Sequence, residues 1–117
     1  MGDANVLGIN ECVLQCHIDS LRWFPDLDHS GLHHLVGLIG EVGEVANIVK
    51  KIDRGSMSLK DFETQEALAS ELADVLTYVA NLADVYDIDL EEAYVRKREF
   101  NERRFGPGAR SGSGTSE

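Results

Sequence analysis

Four carboxylates stand out by the company they keep: Glu41 and Glu44 in LVGLIGEVGEVANIV, and Glu71 and Asp74 in ALASELADVLTYVANLA. Each pair is three residues apart, so on a helix both side chains project from one side, one turn apart. Spacing alone is not selective. The chain holds 21 Asp and Glu, and six acidic pairs have this spacing. The other four pairs, Glu63/Glu66, Asp84/Asp87, Asp89/Glu92 and Glu99/Glu102, lie at helix ends or in charged surroundings, where solvation explains them. Carboxylates gathered on the apolar side of two helices repel one another unless a cation neutralises them. Donors that are all oxygen suit a hard divalent ion, Mg²⁺ most readily, with Mn²⁺ as a substitute. A di-iron bundle site would need Glu-x-x-His, and no Glu stands three residues before His17, His29, His33 or His34. Zinc would need a Cys/His set that the chain does not offer.

The elements that must position these groups are helical. Leu35, Leu38, Val42, Val45, Val49 and Ile52 recur in steps of three and four, which predicts an amphipathic helix from Gly31 to about Ile52. Leu68, Leu72, Leu76, Val79 and Ala83 mark a second stripe, in a helix running to about Tyr86. The carboxylates are expected beside these stripes, at one helix–helix seam. A first helix spans about Asn10 to Trp23 and ends at Phe24-Pro25, because the residue before proline avoids helical geometry. Ser30 is a good N-cap for the next helix, and Gly55 suits its C-terminal turn. Ser58-Leu-Lys-Asp61 has the form of a capping box, and Asp89 with Glu92 opens a fourth helix ending near Arg104. No useful strand-like alternation occurs. The expectation is an all-α, four-helix bundle-like domain over residues 1–105, with a disordered tail over 106–117.

Three glycines, Gly37, Gly40 and Gly43, interrupt the second helix, each costing about 1 kcal/mol relative to alanine. They match no phosphate loop, since no strand precedes them. They either permit tight helix packing or let a ligand come close. Cys12 and Cys16, four apart, read as small buried hydrophobes rather than a redox or zinc pair.

Composition sets the outer limits. With 117 residues the chain makes one domain with a core of modest size. Its net charge of −10 excludes a general nucleic-acid binder. No apolar run approaches the ~18 residues of a membrane span, and no secretory signal is visible, so a cytoplasmic location is the default. Five of the 11 Lys and Arg fall between Arg96 and Arg104, and Lys50, Lys51 and Arg54 form a second group. Both groups suit an anionic ligand bound through a metal, and both equally suit helix C-termini.

Three blocks in order, GLIGEVGEVANIVKK, ELADVLTYVANLA and KREFNERRF, resemble the MazG-like family of all-α nucleoside triphosphate pyrophosphohydrolases, over roughly Trp23 to Phe105. The resemblance implies hydrolysis of an NTP or dNTP to the monophosphate and pyrophosphate, in a homodimer or homotetramer. It implies Glu41, Glu44, Glu71 and Asp74 as Mg²⁺ ligands, with Glu41 or Glu44 contacting the attacking water. It further implies substrate contacts from Tyr78, Lys97, Asn101 and Arg104, with Lys51 in the nearer basic group. Trp23 corresponds to an aromatic residue near the base, or else caps the core. Some members carry an additional Glu where this chain has Gly40. The alternatives are a phosphoribosyl-ATP pyrophosphatase of the same superfamily and a non-catalytic helical interaction module.

Overall fold

A computed structural model describes residues 7–108; the rest of the expected tail, after Gly108, lies outside them. Among the described residues the chain is all-α, with α1 (Ile9–Trp23), α2 (Gly31–Asp53), α3 (Phe62–Val85) and α4 (Leu90–Phe105). None of these helices is long and apolar enough to cross a membrane.

The helix ends follow local chemistry. The Ser30 hydroxyl accepts the His33 N–H at 3.2 Å and so caps α2. That helix stops where Gly55 turns left-handed (φ 85°), its N–H donating to the Ile52 carbonyl while Ser56 N–H donates to Lys51. The expected capping box at Ser58 is corrected: Asp61 is the N-cap of α3, without a side-chain cap bond. The Ser58 hydroxyl instead accepts the Lys60 N–H at 3.1 Å, and its carbonyl accepts the Asp61 N–H at 3.0 Å. Serine's local bonding closes a turn before the helix rather than starting it. Asp89 does cap α4, accepting the Glu92 N–H at 3.0 Å.

α3 is central, packing on α2 along most of its length and on α1, whereas α4 packs against α1. Asn10 fastens the starts of α1 and α4 together. Its side-chain N–H donates to Asp89 at 2.8 Å, and its side-chain oxygen accepts the Glu91 N–H at 3.2 Å. That first bond is the main reason Asp89 ionises more readily than an ordinary aspartate. His17 Nδ1 meets Asp84 at 2.7 Å and ties α1 to α3.

The α2–α3 seam takes only part of each expected stripe. Leu38, Val45 and Ile52 of α2 and Leu68, Val79 and Ala83 of α3 are buried or half-buried, whereas Leu35, Val42 and Val49 of α2 are exposed, as are Leu72 and Leu76 of α3. The seam is lined by His34, Gly37, Glu41, Val45 and Ile48 facing Leu68, Glu71, Val75, Tyr78 and Asn81, all buried or half-buried. Both helices are apolar on more than one side, so two stripes competed for the seam. The glycines also separate: a Cβ at Gly37 would collide with the Tyr78 ring, while nothing lies within 4 Å of one at Gly40 or Gly43. Only Ala80 and Ala83 are fully buried apolar residues among those described. The core that the length permits is therefore not closed by one chain.

α3 ends in the same left-handed turn as α2, but with Asp87 (φ 54°) where α2 has glycine. The position carries a steric cost and places a negative charge at a helix C-terminus. Asp87→Gly is expected to stabilise the fold by about 0.5–1 kcal/mol, seen as a higher urea midpoint at fixed protein concentration. A lowered midpoint would show that this carboxylate has partners the turn depends on.

Candidate active site

Antiparallel pairing of α2 and α3 brings Gly31 against Tyr86, Gly37 against Tyr78, and Glu41 to the level of Glu71 and Asp74. One carboxylate oxygen from each of Glu41, Glu71 and Asp74 lies within 4.8 Å of the other two. Glu41 and Glu71 are half-buried in the seam and Asp74 is exposed at its edge. Glu44, one turn further along α2, is exposed and stands outside this trio. It is near enough that its charge adds to the repulsion felt by Glu41.

The Glu41 carboxyl holds its proton above the usual glutamate range. The main cause is a hydrogen bond shared with Glu71, followed by desolvation and by repulsion from Asp74, Glu71 and Glu44. A proton here stands in for a cation: three hard oxygen donors with a surplus of negative charge fit a divalent metal ion.

Glu41 and Asp74 also line a cavity of about 400 Å³ that runs from the trio to the C-terminal end of α1. Trp23, Phe24 and Leu27 from that end, Tyr78 and Asn81 from α3, and His34 from α2 form the rest of its principal wall. Trp23 is 60% exposed, so it borders the cavity rather than capping a core. Of the residues singled out in the sequence, the fold thus gathers Trp23, Glu41, Glu71, Asp74 and Tyr78. It does not gather Lys51, ten residues beyond Glu41 and so about 15 Å along the helix. Nor does it bring Lys97, Asn101 or Arg104 to the trio within one chain. Lys97 and Arg104 instead lie over the Phe100 ring, at 4.9 and 5.6 Å from its centroid. His34 and Asn81 were missed by sequence reasoning. A signal existed: each lies seven residues, two turns, from Glu41 or Asp74 on the same helix face.

Comparison with known proteins agrees with this geometry. Residues 30–104 match the model of the MazG nucleotide pyrophosphohydrolase domain. The chain belongs to the MazG family. It is also 40% identical over 79 residues to the Gene 37 protein of Mycobacterium phage L5, an alignment covering 68% of this chain and 69% of the phage protein. A MazG domain makes this chain a pyrophosphohydrolase-type enzyme, of a family that is generally dependent on divalent metal. The matched region takes in α2, α3 and nearly all of α4, and so contains the whole trio, while Trp23 and Phe24 lie before it.

Of the two cysteines of this MazG chain, Cys16 lines that cavity and Cys12 does not. Cys12 and Cys16 are free and half-buried, and burial is the largest cause pushing the Cys16 thiol up to about 11. Such a thiol is a poor nucleophile.

The trio has a pH signature. Glu41 binds its proton more tightly folded than unfolded, so it favours the fold below the unfolded pKa. That contribution is lost as pH rises through the raised folded value. Metal-free protein is therefore expected to lose stability across the window above the ordinary glutamate pKa, and Glu41→Gln to flatten that slope. Urea denaturation in EDTA at a series of pH values measures both. Identical slopes for the two proteins would remove Glu41 as the origin.

Proposed function

We propose that this MazG chain is a Mg²⁺-dependent hydrolase that converts an NTP or dNTP to the monophosphate and pyrophosphate, with Mn²⁺ able to replace Mg²⁺. The observation that carries the reading is the continuity of one cavity from the carboxylates Glu41 and Asp74 to the aromatic rings of Trp23 and Tyr78. An acidic end and an aromatic end in one cleft suit a ligand that is polyphosphate at one end and heterocyclic at the other.

Glu41, Glu71 and Asp74 would hold the ion. When bound, a divalent cation supplies the positive charge that lets acidic side chains face a polyphosphate and makes a nearby water more acidic. Trp23 and Tyr78 hold the base and sugar by stacking and exclude water around them. Glu44, adjacent to the trio but not within it, keeps its carboxylate for the attacking water. The water oxygen bonds to the α-phosphorus and its proton passes to Glu44. The bond from that phosphorus to the bridging oxygen breaks, and pyrophosphate leaves.

This division of labour separates two variants. Glu41→Gln is expected to lose both activity and the stabilisation that Mg²⁺ gives to wild type. Glu44→Gln is expected to keep most of that stabilisation while turnover falls by about 10²–10⁴-fold. Glu63→Gln, from an exposed pair on α3, serves as control. Pyrophosphate release across the common ribo- and deoxyribonucleoside triphosphates, with thermal melts at increasing Mg²⁺, reads all three. Equal losses in Glu44→Gln and Glu63→Gln would sink the assignment.

The active form in this reading is a homodimer or homotetramer, in which Lys97, Asn101 and Arg104 of one protomer meet the polyphosphate in the site of its partner. Two facts support it. The bases of α4 are not gathered at their own chain's trio. The outer face of α2 leaves Leu32, Val36 and Ile39, spaced four and three residues apart, at least 61% exposed, an apolar stripe suited to a partner. Light scattering is expected to give a dimer or tetramer. If the bases act across the interface, mixing inactive Glu41→Gln and Lys97→Ala chains, with subunit exchange, restores about a quarter of wild-type activity in a dimer. No recovery from an exchanged mixture would place Lys97 in its own chain's site.

A further inference from the structure

One nitrogen of the His34 imidazole has no hydrogen-bond partner among the described residues. His34 is 5% exposed, and that nitrogen, Nδ1, is buried. Buried polar atoms are almost always paired, and two other histidines of this chain are. His17 Nδ1 meets Asp84 at 2.7 Å, and His29 Nε2 meets the Phe24 carbonyl at 2.9 Å. The rings about His34 are those of His29, His33 and Tyr78, with centroids 5.8, 5.5 and 6.2 Å away, and the Asp28 and Asp84 carboxylates are near enough to act on it without bonding Nδ1. The residue lines the same cavity as Glu41 and Asp74. It lies two turns from Glu41 on the same face of α2, about 10 Å along the axis, at the aromatic end. Asn81, 7% exposed, is on the facing wall. Burial is the largest cause lowering the His34 pKa, with His33 and His29 adding to it and Asp28 and Asp84 opposing it. The balance favours the neutral ring, which has one donor and one acceptor nitrogen.

We propose that His34 is a specificity-determining residue, whose unpaired Nδ1 hydrogen-bonds the polar edge of the substrate's heterocyclic base and so selects which base the enzyme accepts. This rests on the nucleotide reading of the cavity. A site built around a buried polar atom rejects a base that leaves the atom unpaired, which makes one such nitrogen more selective than the apolar wall around it.

The test has two arms. Protein carrying ¹⁵N-labelled histidine is titrated, without metal, with the common ribo- and deoxyribonucleoside monophosphates. The Nδ1 resonance of His34 is expected to shift saturably with the accepted base and much less with the others, while that of His17 stays in place. In the second arm, kcat/KM is measured over the corresponding triphosphates for wild type, His34→Leu and His34→Gln. His34→Leu is expected to lose about tenfold on the accepted base, mainly through KM, and to flatten the ranking of bases. His34→Gln, which keeps a hydrogen-bonding group, is expected to recover part of that ranking, and it decides the matter if His34→Leu fails to fold. A resonance unmoved by every monophosphate, or an unchanged ranking in the variants, overturns the proposal. If no triphosphate is hydrolysed but monophosphates still move Nδ1, the hydrolase reading fails and the role of His34 stands.

Discussion

The meeting of Glu41 and Glu71 in the α2–α3 seam, where a hydrogen bond between them holds the Glu41 proton, is the constraint around which the molecule is arranged. Two carboxylates facing each other across a helix pair oppose its association, and here they occupy positions that apolar residues would fill in an ordinary bundle. The helices stay together because the seam is tight on either side of them. Gly37 admits the Tyr78 ring, Gly31 admits Tyr86, and Val45 and Ile48 face Leu68 and Val75. The same geometry that costs stability gathers three oxygen donors that fit a divalent cation, since the most direct relief of the repulsion is positive charge.

A second tension follows from how little one chain buries. With α3 between α2 and α1, and α4 resting on α1, the helices leave broad apolar faces open. Gly40 and Gly43 lie on α2 with open space where a side chain would be. Helix propensity would favour alanine at both, so their presence makes sense where another backbone approaches. Stability is thus drawn from a small buried core, because much of the apolar surface of one chain stays exposed.

In a chain of net charge −10, five of the 11 Lys and Arg residues are concentrated in α4, away from the acidic trio. At the other end of the cavity lies a buried imidazole, His34, beside the Tyr78 ring.

Residue types and spacing were enough to determine the four helices, most of their ends and the family, and to single out Glu41, Glu71 and Asp74, which the fold brings together. These depend on local chemistry: a 3.6-residue period, serine and aspartate caps, and glycine's left-handed turn at Gly55. The Ser58 turn escaped because serine can bond locally in either a helix or a turn. Which stripe of α2 and α3 faces inward was decided only by tertiary packing, since both helices are apolar on more than one side and periodicity cannot choose between two stripes. From that choice came the rest: Glu41 and Glu71 within the seam rather than beside it, Glu44 outside the trio, α4 away from its own chain's carboxylates, and His34 buried with no hydrogen-bond partner for Nδ1 among the described residues. Each depends on which side chains meet across separate helices, and a periodic pattern carries no information about its neighbour's rotation.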